Sequence, residues 1–157
     1  MLTTSIRARS PRGPSVAAAA AGLVAAVPVA AWWLTGRQDV DGIPPTELDY
    51  AVRPLSLGPG QETALGAVSL LLAVCSAAFL LHTSRRKRFD PRWWQVVLPL
   101  LAAGLLLGVG WRIVTAGVIG ANIGAGLTIF LAGPAIAALV AGALIRGLWL
   151  RFAREPL

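Results

Sequence analysis

Charged residues along this chain are pushed to the ends of long apolar blocks. Residues 13–36, 63–84, 93–111 and 113–145 hold no Asp, Glu, Lys or Arg. A helix needs ~20 mostly apolar residues to cross the hydrocarbon core of a bilayer, so each block is long enough to cross once. The fourth block is too long for one ordinary span and too short for two spans with a turn between them. The pattern predicts an all-α polytopic membrane protein, a four-transmembrane-helix bundle with spans near 14–35, 62–82, 94–111 and 127–148. Spans and connections together form a single membrane domain over 1–157, with no length left for a separate soluble domain.

The connections differ in character. Residues 36–60 are the one sizeable polar segment. There Pro44-Pro45 precedes Thr46-Glu47-Leu48-Asp49. Thr46 has the chemistry of an N-cap, with acid in the first turn, so a short surface helix is expected to run to about Val52 before Pro54 stops it. Asp39-Val40-Asp41-Gly42 matches the start of a calcium loop but lacks the third acid and the closing Glu, and it is read as a solvated turn. Residues 83–93 form a short basic loop. Residues 112–126 are too apolar for an ordinary loop and too rich in Gly for a plain helix. Three readings compete for them: an interfacial segment, a re-entrant turn, or a longer third helix that draws Arg112 inward. The interfacial segment is preferred.

Charge sets an orientation. Arg7, Arg9 and Arg12 precede the first span, Arg85, Arg86, Lys87, Arg88 and Arg92 flank the 83–93 loop, and Arg146, Arg151 and Arg154 end the fourth span. That is 11 of 14 basic residues on one side, against Arg37, Arg53 and Arg112 on the other. The positive-inside rule then puts both termini in the cytoplasm and the 36–60 loop outside. Trp32, Trp33, Trp93, Trp94, Trp111 and Trp149 all fall at expected span ends, where indoles favour the head-group level. The first block also has the outline of a signal peptide, with Val29-Ala30-Ala31 as a small-residue cleavage site. It is longer than a usual signal core of ~7–15 residues, and an uncleaved span is expected.

Composition agrees and narrows the function classes. The chain is 56% hydrophobic and only 13% charged, against ~25% in soluble domains. The net charge of +7 suits anionic lipid head groups better than nucleic acid, because the basic residues cluster at span ends and not along one face. Only one basic residue in 14 is Lys, a bias typical of GC-rich bacterial genomes, so a bacterial plasma membrane is the expected location. Cys75 is the single cysteine, mid-span, and is expected to be a small buried residue.

Little chemistry stands out. The spans lack acids for a proton relay, and His82 is alone, which leaves no pair of histidines for haem and no partnered base. No enzyme, cofactor or metal site is expected. The four-span layout is similar in outline to small multidrug transporters, but the membrane-embedded Glu those proteins need has no counterpart in residues 13–36, and no fluoride-channel motif is present. Two features remain. Small residues four apart at Gly104 and Gly108, Gly120 and Gly124, and Ala138 and Gly142 mark faces for close helix packing, within one chain or between chains. Arg112, Thr115 and Asn122 form a polar trio near the outer side, with Arg112 read as an interfacial anchor beside Trp111. The expected role is a structural or accessory bundle that self-associates or joins a larger membrane complex. The alternative is a small channel or carrier for an anion or polar solute, with the trio near its outer mouth.

Overall fold

The computed structural model describes residues 12–39, 42, 44, 48–87, 89–118 and 121–152, without the side chains of residues 12, 121 and 122. Four helices dominate: α1 (Arg12–Thr35), α2 (Pro59–Arg85), α3 (Trp94–Val114) and α4 (Ala121–Phe152), with a short 3-10 turn at Pro91–Trp93 leading into α3. All four are long and apolar enough to cross a membrane, which makes this a multi-pass membrane protein by length and composition. At ~1.5 Å per residue the 21 residues of α3 span about 32 Å, close to the ~30 Å hydrocarbon thickness. The 32 residues of α4 reach about 48 Å, so that helix must tilt or project.

Three expectations are corrected. The 112–126 stretch is not one irregular segment, because its described residues are largely helical. Arg112 to Val114 is the last turn of α3, residues 115–118 connect, and residues 121–126 open α4. Helix is the cheapest way to satisfy amides at membrane depth, and it absorbs the glycines. The expected spans at 62–82, 94–111 and 127–148 ran short of the helices, which continue to Arg85, Val114 and Phe152 and so hold Arg112 and Arg151. Second, the described part of the expected surface helix is irregular, with bends at Leu48, Ala51 and Val52, while Thr46 and Glu47 lie outside the described residues. Tertiary pins win over a costly helix nucleus here. Val118 N donates to Asp49 O at 3.2 Å, and Gly117 sits so close under the Tyr50 ring that a Cβ would come within 2.7 Å of it. Third, Cys75 is exposed on α2 and not buried.

The helices form an open row rather than a bundle closed around one core. α2 packs on α1, α1 on α3, and α3 on α4. The seams follow from sequence spacing. On α2 the buried residues are Glu62, Gly66, Ser69, Ala73, Ser76, Leu80 and Thr83, alternating four and three apart. That 3.5-residue period is the left-handed packing geometry of coiled coils, and it lays one narrow stripe against α1. Leu80, near the C-terminal end of the stripe, is fully buried and grouped with Leu23, Ala26 and Val97. On α3, Gly104 and Gly108 lie one turn apart and face Pro28 of α1. A Cβ on Gly108 would overlap the Pro28 carbonyl oxygen and stand 2.8 Å from Ala31 Cβ, so the two backbones touch here. α4 is mostly exposed, its buried face reduced to Ala125, Ala143 and Leu150.

Candidate functional site

The informative end of the row is the one that carries the 36–58 connection. α1 stops at Gly36, which takes φ +70°, the left-handed conformation that glycine adopts without strain, and its N–H donates to Trp33 O at 3.0 Å. Gln38 Nε2 donates to Thr35 O at 2.9 Å and caps another free carbonyl. The sharp stop turns Arg37 back over the start of α2. That helix begins at Pro59, whose fixed φ suits the first helical position, and Gln61 Oε1 accepts from Gly58 N at 3.2 Å. Glu62 therefore arrives in the first turn of α2, where the helix dipole favours a carboxylate, and in phase with the stripe facing α1.

Arg112 reaches the same place from α3. It follows Gly104 and Gly108 at four-residue spacing, so it shares the face that packs on α1. The residue is only 7% exposed. Its Nη2 donates to Glu62 Oε1, while Arg37 donates to Glu62 Oε2 from Nη2 at 2.9 Å and from Nε at 3.2 Å. The Arg112 guanidinium also lies over the Trp32 ring, 4.5 Å from its centroid. One carboxylate thus ties together the end of α1, the start of α2 and the end of α3. Donors outnumber acceptors in this cluster, and Arg112 Nε is buried with no hydrogen-bond partner.

The cluster forms one wall of a cavity of about 540 Å³, inside the range of small-ligand sites. Arg37, Arg53 and Arg112 line it against Asp39 and Glu62, a surplus of one positive charge. Asp39 is engaged, because its Oδ1 accepts from Gly117 N at 2.7 Å. Trp32, Tyr50 and Trp111 supply aromatic walls. Among the described residues no group of His, Cys, Asp and Glu is placed to hold a metal ion.

No family model, curated protein or solved structure matches this chain. The residues of the site itself are what its chemistry must be read from.

Of the polar trio, Arg112 and Thr115 line the cavity, and the side chain of Asn122 lies outside the described residues. Arg112 does not stand free beside Trp111 but is buried against Glu62. A charge with a carboxylate partner and an aromatic face can stay inside the row, where an unpaired one cannot. Thr115 is 4% exposed, and its hydroxyl donates to Trp111 O at 2.7 Å, so it builds the wall and offers little to a ligand. Among the small residues, Gly104 and Gly108 pack on α1, Gly120 lies outside the described residues, and Gly124, Ala138 and Gly142 are exposed on α4. Glu62, Arg37 and Trp32 were missed as site residues. Glu62 directly precedes the second charge-free block and falls at the first position of the expected span, and the alternating spacing to Gly66 and Ser69 places it on the packed face.

Proposed function

We propose that this protein is a non-enzymatic accessory protein of the bacterial plasma membrane that receives an anionic group in an arginine-lined cavity open to the outside. The observation that carries this reading is the Arg37–Glu62–Arg112 cluster, in which Glu62 and Arg112 are buried, donors are in excess and one buried guanidinium nitrogen is unpartnered. A buried charge is expensive unless it is paired, and perturbed charge clusters of this kind are ordinarily kept for a task. Orientation follows from the excess of basic residues at the opposite end, 11 of 14, which favours cytoplasmic termini. Binding is favoured over conduction, because α1 and α3 touch backbone to backbone at Pro28 and Gly108, next to the site. The test is a titration of the purified protein with inorganic phosphate, read by tryptophan fluorescence from the rings that line the cavity. Saturable binding that weakens in Arg53→Gln supports the reading; no binding, or binding indifferent to Arg37→Gln and Arg53→Gln together, refutes it.

A second reading rests on α4. Gly124, Gly126, Gly133 and Gly142 have no atom within 4 Å of where a Cβ would stand, so this edge of the row is free for close approach by another helix. Assembly through α4, with a second copy or with a subunit of a larger complex, is compatible with a cavity at the other side of α3. Native-gel mobility of Gly142→Leu tests it: a smaller complex supports assembly through α4, and unchanged mobility removes it.

A further inference from the structure

The polar cavity does not end in a polar surface. Beside it lies a groove of about 290 Å³ whose walls include Pro28 and Val29 of α1, Leu65 of α2, and Leu107 and Gly108 of α3. Trp32, Leu55, Leu57 and Trp111 line both spaces, so the two are continuous across one aromatic and aliphatic sill. The groove is apolar throughout, and Leu65, Leu107 and Trp111 are exposed at its rim on the face that meets lipid. Both spaces sit toward the α1 C-terminal end of the helices, the end this reading assigns to the head-group level, where indoles concentrate.

An inorganic anion needs only the cavity. A groove of this chemistry, entered from the bilayer and joined to a cationic cavity, matches an amphiphile with an anionic head and an apolar chain. The geometry points to a single anionic phospholipid as the occupant: its phosphate among Arg37, Arg53 and Arg112, and one acyl chain along the groove between α1 and α3. Guanidinium groups bind phosphate through paired N–H donors, and basic pockets between transmembrane helices select anionic head groups. Selectivity comes from the head. A chain already dissolved in lipid gains little from moving into the groove, whereas the one-charge surplus of the cavity discriminates against a zwitterionic head. Arg37 suits this role, since its side chain is 58% exposed and can swing from Glu62 to an incoming phosphate.

This inference rests on the reading of the cavity as an anion site, and the experiment separates the two. The full-length protein is equilibrated in mixed micelles with equal phosphatidylglycerol and phosphatidylcholine, and the retained lipid is counted by native mass spectrometry. In parallel, inorganic phosphate binding is titrated by fluorescence. The expected result is one phosphatidylglycerol per protein, retained in clear preference to phosphatidylcholine. Leu107→Trp, which fills the groove and removes no charge, should lower that retention by at least about tenfold, an affinity change of ~1.4 kcal/mol, and leave phosphate binding as it was. Arg37→Gln with Arg53→Gln should abolish both. Phosphate binding with equal retention of the two lipids, or undiminished phosphatidylglycerol in Leu107→Trp, overturns the lipid site and leaves the anion site standing. Loss of lipid preference together with no phosphate binding overturns both. Phosphatidylglycerol retained where phosphate alone does not bind overturns the site for a free anion and, with it, the lipid site as drawn here.

Discussion

Replacing Glu62 by Gln removes a charge and almost no volume. The consequence falls on Arg112, whose side chain is 8% exposed and has Glu62 as its carboxylate partner, while Arg37 can turn to water. Leaving a buried charge without its counter-ion costs about 3–5 kcal/mol. The Trp32 ring returns part of that, about 0.5–2 kcal/mol for a guanidinium over an indole. A net loss of roughly 1–4.5 kcal/mol is expected for Glu62→Gln. Arg37→Gln removes only the exposed half of the cluster and should cost about 0–1 kcal/mol. The double change Glu62→Leu with Arg112→Leu should recover most of the loss, because replacing both partners of a buried pair by apolar groups is often close to neutral. Reversible unfolding of the purified protein in mixed micelles, with denaturing detergent as the titrant, measures all three. If Glu62→Gln unfolds no more easily than Arg37→Gln, Arg112 is solvated rather than buried and the central role of this carboxylate is refuted.

Three further outcomes follow from the same geometry. Gly108→Leu forces a side chain into the Pro28 carbonyl and Ala31, so it should destabilise the folded monomer by about 1–3 kcal/mol or more, seen as a loss of the monomeric species in the same unfolding assay and not as a change in oligomer size. Arg53→Gln, at an exposed cavity position, should weaken phosphate binding by up to roughly fivefold, the equivalent of ~0.2–1 kcal/mol, without changing stability. Cys75, exposed on the membrane-spanning α2, should react with a lipid-soluble maleimide in native membranes and resist a charged one.

Much of the fold was legible because lipid imposes a coarse rule: apolar length. Four crossings follow from it directly. Helix ends did not, since counting stops at the first charge, whereas Glu62 and Arg112 carry the helix onward by pairing with each other. Their partnership was nonetheless half written in the spacing. Arg112 continues the four-residue phase of Gly104 and Gly108, and Glu62 begins the alternating stripe that runs through Gly66 to Thr83. Both stripes face α1, so both charges were bound to meet near its end. Cys75 was legible in the same way, lying off the stripe between Ala73 and Ser76. The order of helices in the row was not, because apolar faces solvated by lipid carry no signal of which neighbour they meet. Gly104 and Gly108 illustrate this. Their spacing favours packing within one chain without naming the neighbour, and it is Pro28 of the same chain that fills the space.

The account stands or falls on an outward-facing cavity that takes an anion. Ser56 is exposed and lines that cavity. In a Cys75→Ser background, Ser56→Cys should react in intact cells with a membrane-impermeant thiol reagent added outside. External inorganic phosphate should slow that reaction, and Arg37→Gln with Arg53→Gln should remove the protection. Labelling only after the cells are permeabilised, or labelling at a rate phosphate does not change, would contradict the account.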